Sequence, residues 1–228
     1  MATDDPSPLE RGRTPLELSL AVDRDASSDA RAWLPSRPFL LDWAVRALES
    51  RLDPPTPAGR GSVAEPSIPA TGHAAPVPSV ARNVSDNLPG TRYELSVRLV
   101  SAVTMRALNR EWRGRDRATN VLSFPAGLPA LPLEGGGAVH VLGDIALCPE
   151  VIAREAHEQG KSPEAHWAHL VVHGVLHLRG LDHEEEGEAA AMEALESRLL
   201  SMRDIPDPYG VRVDARPADR VPPSPPPP

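Results

Sequence analysis

Proline is spread so unevenly along this chain that it decides which parts can fold. Of the 27 prolines, 15 fall in residues 53–90 and 216–228. Both stretches hold few large apolar residues, so burial there cannot offset the entropy lost on ordering. Residues 53–90 therefore read as a disordered insertion, and 211–228 as a disordered Pro-rich tail. Residues 1–14 lack the apolar run of a secretory leader and read as a disordered N-terminus. What remains, 15–52 with 91–210, is the size of one compact domain. The insertion interrupts that domain rather than separating two, because neither side carries a complete core.

Hydrophobic period assigns the elements. Residues 16–22 (LELSLAV) and 93–100 (YELSVRLV) alternate apolar and polar side chains, which predicts strands. Residues 120–124 (NVLSF) and 139–147 (VHVLGDIAL) are two more, with a Gly/Pro/Leu loop at 126–137 between them. Residues 38–48 place Phe39, Trp43 and Leu48 at helical spacing, and Pro38 suits a first helical turn. Ser101 N-caps a helix to Trp112, with Met105, Leu108 and Trp112 on one face. Cys148-Pro149-Glu150 opens a helix to Gln159. Ser162-Pro163-Glu164 starts another, which runs to Leu178 and is stopped by Gly180. The last helix covers 185–202, with Met192, Leu195, Leu199 and Met202 as its buried stripe. Strands and helices mix without a strict βαβ rhythm. The class is therefore α+β, a small mixed four-stranded sheet packed with about five helices.

The histidines are concentrated. Seven of eight lie between His140 and His183. His173 and His177 are four apart in a predicted helix, so both rings leave one face a turn apart. That spacing suits two ligands of one tetrahedral zinc. Gly180 can take the left-handed conformation that turns the chain back, and His183 can then reach the same metal. Three protein ligands leave a fourth position open, the pattern of a catalytic zinc. His169, one turn before His173, reads either as a partner of a ligand or as a partly buried polar residue. His157 and His166 read as solvent-facing, Asp182 as orienting a ligand or capping the turn, and Glu184, Glu185 and Glu186 as a solvated acidic helix start. His73 and His140 receive no role.

The spacing His173-x-x-x-His177-x-x-Gly180-x-x-His183 equals that of the metzincin peptidases. Those enzymes carry a Glu general base after the first His, where this chain has Gly174, so the peptidase reading lacks its base.

The net charge of −8 does not exclude a nucleic-acid substrate, because the charge is uneven. Residues 184–196 hold six Glu and no basic residue, whereas 106–117 hold five Arg against Glu111 and Asp116. Arg110, Arg113, Arg115 and Arg117 offer planar charged forks suited to phosphate oxygens. Thr119, Asn120 and Ser123 beside them suggest polar groups aimed at a ligand or at the metal. Cys148 is the single cysteine, a small apolar residue at a strand end. It permits no intramolecular disulfide and favours the cytoplasm. No apolar run reaches membrane-spanning length.

Three segments together resemble the YbeY family of bacterial rRNA maturation endoribonucleases. They are LNREWRGRDRATNVLSFP (108–125), LGDIALCPE (142–150) and EAHWAHLVVHGVLHLRGLDH (164–183), followed by the helix EAAAMEALESRLL. The resemblance implies a zinc-dependent endonuclease of single-stranded RNA. It implies work on the 3′ end of 16S rRNA, on ribosome biogenesis and on ribosome quality control. The partners it implies are rRNA and the ribosomal small subunit, not DNA or a membrane. It implies one zinc ion per chain on His173, His177 and His183, and Arg113 and His173 as the catalytic residues. The departures are Trp112 where the family usually has Tyr, the insertion and the tail. Trp112 reads as core-facing in preference to stacking on a base. Two other classes stay open: a metallopeptidase, and a ribosome-assembly factor with a structural zinc.

Overall fold

The computed structural model describes residues 16–23, 26, 33–50, 90–181 and 186–210. The expectations of disorder at 1–14, 53–90 and 211–228 fall, apart from Gly90, outside this set.

The described residues form an α+β fold in the order β1(Leu16–Val22), α1(Arg37–Glu49), β2(Arg92–Leu99), α2(Ala102–Arg113), β3(Val121–Pro125), β4(Leu131–Pro132), β5(Ala138–Leu147), α3(Pro149–Glu158), α4(Pro163–Leu178) and α5(Glu186–Ser201). The sheet order is β1-β2-β5-β3. β1, β2 and β5 run parallel; β3 and the short β4 both pair antiparallel with β5. The sheet has five strands where four are expected. The addition is β4, a two-residue pairing inside the 126–137 loop, too short for any alternation to announce it.

The helix starts follow from their caps. Ser36, Ser101 and Ser162 each accept a hydrogen bond from the backbone N–H three residues on, at 3.3, 3.3 and 3.1 Å. Alternation along β5 divides the core between the two sheet faces. Ile145 and Leu147 join the larger cluster, with Leu95, Leu99 and the apolar residues of α1, α4 and α5. Ala146 and Cys148 join the smaller one, with Met105, Leu122 and Val151. α4 is the central helix, buried along Trp167, Ala168, Val171, Val172, Val175 and Leu176.

One stripe differs from expectation. Met192, Leu195 and Leu199 of α5 are buried, but Met202 is exposed. The helix ends at Ser201, so Met202 falls in the turn beyond it. Leu200 and Glu196 are buried instead.

Arg179, just after α4, is buried and closes the far end of α1. Its Nη1 donates to Ala47 O at 2.6 Å and Ser50 Oγ at 2.8 Å, and its Nη2 to Ser50 O at 2.9 Å. A cation on the last carbonyls of a helix satisfies orphan acceptors and meets the negative end of the dipole. Burial lowers the Arg179 pKa to about 10, so the group stays charged near neutral pH. Arg179→Met keeps the aliphatic stem but strands these acceptors, and should destabilise by about 2–4 kcal/mol. Urea melts check this: the midpoint should fall with the slope unchanged.

Candidate metal centre and its basic flank

His173 and His177 sit side by side on α4, their rings nearly perpendicular with centroids 4.6 Å apart. Both are half-buried on a helix otherwise largely enclosed. His173 Nδ1 lies 2.9 Å from Glu196 Oε1, and His169 Nε2 lies 2.9 Å from Glu196 Oε2. The Tyr209 hydroxyl donates to the same Oε2. Glu196 has no solvent exposure. Burial alone would raise its pKa, but the bonds from His169, His173 and Tyr209 outweigh that and hold it at about 2. The carboxylate is therefore an acceptor only, and His173 must present Nδ1–H to it. Nε2 is then the lone-pair nitrogen of His173. Burial lowers the His169 pKa, against the pull of Glu196, which favours the neutral ring. Burial, with Glu196 beside it, pushes the Tyr209 hydroxyl up, so it remains a donor.

The end of α4 is a Schellman turn. Gly180 N–H bonds His177 O at 2.9 Å and Leu181 N–H bonds Leu176 O at 3.1 Å, with Gly180 at φ +84°. The predicted chain reversal begins where the sequence places it. Asp182, His183, Glu184 and Glu185 lie outside the described residues, so the structure brings together two of the three expected ligands.

Among the described residues, ligand atoms of His169, His173 and Glu196 lie within 4.8 Å of one another and can hold a metal ion. The nitrogen-rich donor set and the carboxylate behind His173 fit a zinc site in kind.

The basic flank meets α4 through β3. Arg113 Nη2 donates to Ser123 O at 3.4 Å, and Ser123 Oγ donates to Gly174 O at 3.2 Å. Gly174 stands between the two histidines. A Cβ there would lie 2.9 Å from Ile145 Cδ1 and 3.3 Å from both Ile145 Cγ2 and Ser123 Oγ. The position where a metzincin carries its base is thus packed against the sheet. Arg106 is engaged by Asp116 through two bonds of 2.8 and 2.6 Å. Asn109 is buried and donates to Arg117 O at 2.7 Å, which shapes the loop carrying exposed Arg115 and Arg117.

Several expectations are corrected. Asn120 and Ser123 are not aimed at the metal. Asn120 donates to Glu155 Oε2 at 2.8 Å and accepts from Val121 N–H, and Ser123 serves α4 as above. His166 is 3% exposed, not solvent-facing, with Nε2 3.1 Å from Glu155 Oε2; His157 is exposed as expected. Trp112 does not face the core. It is 61% exposed and meets Phe124 edge-on at 5.8 Å. Phe124 belongs to β3, the last strand in the sheet order among the described residues. His140 stacks on Tyr93 at 5.0 Å.

Sequence reasoning missed Glu196 and Tyr209. A signal existed for Glu196: it occupies the apolar stripe of α5, four residues after Met192 and three before Leu199.

A family model described as Endoribonuclease YbeY matches residues 74–203. The chain belongs to the YbeY family. An Endoribonuclease YbeY of Halorhodospira halophila is 55% identical over 120 residues, 52% of this chain and 76% of that protein. Its namesake in Stutzerimonas stutzeri is 55% identical over 116 residues, 51% of this chain and 70% of that protein. The solution structure of TM1509 from Thermotoga maritima aligns with a TM-score of 0.40 at 21% identity, over 90% of this chain and 100% of that one. Membership in the YbeY family supports a hydrolase acting on RNA. No helix among the described residues is long and apolar enough to cross a membrane.

Two outcomes follow from these contacts. Gly174→Glu should not create a peptidase; it should destabilise by about 2–4 kcal/mol, because the carboxylate has to enter packed space against Ile145. Denaturant melts and a casein-cleavage assay check both halves. The second concerns Glu155. Burial pushes its pKa up, but His166 and Asn120 hold it below the usual carboxylate value. A depressed carboxylate stabilises the fold above its unfolded pKa, and that contribution is lost as pH falls through the folded value. Glu155→Gln should cost about 1–2 kcal/mol near neutral pH. The gap from wild type should close below the ordinary carboxylate range, as parallel melts across pH would show.

Proposed function

We propose that this protein is a zinc-dependent, single-strand-specific endoribonuclease of the cytoplasm. It acts in 3′-end maturation of 16S rRNA, in ribosome biogenesis and in ribosome quality control. One zinc ion per chain is held by His173, His177 and His183, and the partners are rRNA and the ribosomal small subunit. The observation that carries this reading is the link from Arg113 through Ser123 to Gly174, which ties the basic flank to the turn of α4 bearing His173 and His177.

When bound, zinc supplies Lewis acidity toward the scissile phosphodiester. His173 and His177 would hold it through neutral rings. Arg113 is the residue that meets developing charge on the phosphate oxygens. A guanidinium has five N–H donors, and the bond to Ser123 O uses one. Its position at the C-terminus of α2 is set by the helix, and the Ser123 bond restrains its swing toward α4. Exposed Arg110, Arg115 and Arg117 add a diffuse attraction for the RNA backbone. Single strands are preferred because only an unpaired backbone can bend its phosphate down to a half-buried pair of histidines. The peptidase reading is disfavoured by Gly174, which offers no proton acceptor and no room for one.

The test is cleavage of a labelled single-stranded RNA, and of its duplex, by protein of measured zinc content. Wild type should cut the single strand and spare the duplex, and a chelator should abolish cutting until zinc is restored. Arg113→Ala should keep one zinc per chain yet cut about 10²–10³-fold more slowly. A zinc-loaded wild type that cuts no RNA would overturn the proposal in favour of an assembly factor. A 2′,3′-cyclic phosphate on the product would identify the neighbouring ribose hydroxyl as the nucleophile, and other ends would identify water.

A further inference from the structure

Glu196 is the most deeply buried acid among the described residues, and nothing in the reaction above requires a buried acid on α5. Each oxygen nevertheless has a defined partner. Oε1 faces His173 Nδ1 at 2.9 Å, while Oε2 faces His169 Nε2 at 2.9 Å and receives the Tyr209 hydroxyl. Tyr209 also lies 3.3 Å from His169 Nε2. Tyr209 comes from the segment after α5, and that segment is itself held down. Lys161 Nζ donates to Pro208 O at 2.9 Å, Ser197 Oγ to Asp207 Oδ1 at 2.7 Å, and Tyr209 N–H to the same Oδ1 at 3.1 Å.

Two roles fit a carboxylate so placed: ligand or orienter. The distances separate them. Donor atoms bound to one tetrahedral zinc at about 2.0–2.2 Å stand about 3.3–3.5 Å apart. The 2.9 Å separations from Glu196 to both rings are those of charge-assisted hydrogen bonds, with protons between the atoms. An ion among His169, His173 and Glu196 would have to displace both protons and spread the rings away from a carboxylate with no solvent exposure. With the proton left on Nδ1, His173 keeps Nε2 as its lone-pair nitrogen, on a ring whose centroid is 4.6 Å from that of His177.

We infer that Glu196 is a positioning residue for the metal centre, and that His169 and Tyr209 hold its carboxylate in place while it fixes the tautomer and ring orientation of His173. The inference rests on the proposed metal centre. Removing such an outer partner typically weakens metal affinity 10–100-fold without removing a ligand. Gln in place of Glu keeps the shape, but its amide cannot accept from both rings and the hydroxyl at once. Tyr209→Phe removes one bond from a residue that is 41% exposed, so it tests the same device with little risk to folding.

The experiment uses the full chain, with zinc affinity measured by chelator competition and the His173 tautomer read from imidazole ¹⁵N shifts of the zinc-free protein. Wild type should show His173 protonated at Nδ1. Glu196→Gln should lose about 10–100-fold in zinc affinity and give a mixed tautomer, and Tyr209→Phe should move both readouts in the same direction by less. His183→Ala should weaken zinc binding more than Glu196→Gln does. Unchanged affinity and tautomer in both Glu196→Gln and Tyr209→Phe would overturn the inference while leaving the metal centre standing. Full zinc binding by His183→Ala, with loss in Glu196→Gln and His169→Ala, would overturn it by making Glu196 a ligand. Failure of wild type to bind zinc would overturn the metal centre and the inference together.

Discussion

Gly174 lets α4 lie so close to the sheet that one added carbon would meet Ile145 Cδ1 at 2.9 Å. The site depends on this approach. It puts the Gly174 carbonyl within reach of Ser123 Oγ, and Ser123 O within reach of Arg113. His173 and His177, on either side of Gly174 in sequence, are both left half-buried on the same helix. A larger residue would hold α4 away from β5 and break the contact that brings a cationic flank and a histidine pair into one neighbourhood.

A helix pressed onto a sheet can still roll about its axis, and a roll of a few tens of degrees would swing the histidines out of register. Polar anchors on separate neighbours oppose this. His166 meets Glu155 of α3, His169 and His173 meet Glu196 of α5, and Arg179 meets the end of α1. Apolar packing alone is weakly directional. A buried hydrogen bond loses its value within a fraction of an ångström, and the partner left behind bears its desolvation cost. The ionisable groups around α4 thus act less as sources of net stability than as stops that fix one rotation. That account also explains why Glu155 and Glu196 stay ionised under burial: each has more than one donor facing it.

Much of this was legible in the sequence because local rules happened to act alone. The Ser caps, the proline at the start of α4 and the glycine at its end do their work within a few residues, so element bounds and the chain reversal after His177 could be placed. The four-residue spacing of His173 and His177 is likewise local. What was not legible depends on partners far along the chain. His166 is an ordinary polar residue until Glu155, eleven positions earlier, folds against it. Glu196 follows Glu188 and Glu193, which are exposed, and only its place in the apolar stripe marks it out. Trp112 has the spacing of a core residue, but burial needs a layer to cover it, and among the described residues it lies 61% exposed against Phe124 of β3, at the end of the sheet order.

Charge follows the same pattern of local distribution over total count. The net charge of −8 says little about where an anion can approach, because several of the acids are committed internally. Glu155 and Glu196 are turned into the fold against histidines, and Asp116 is held by Arg106. Among the described residues, the acids nearest the histidines are thus engaged by them, while Arg113 at the end of α2 and Arg115 and Arg117 beyond it remain on the surface. At physiological salt the field of a surface charge fades within about 8 Å. A polyanion approaching this side of the sheet thus meets the arginines first and the summed negative charge only weakly. An acidic chain can in this way present a cationic entrance to a site whose inner wall is built on a carboxylate.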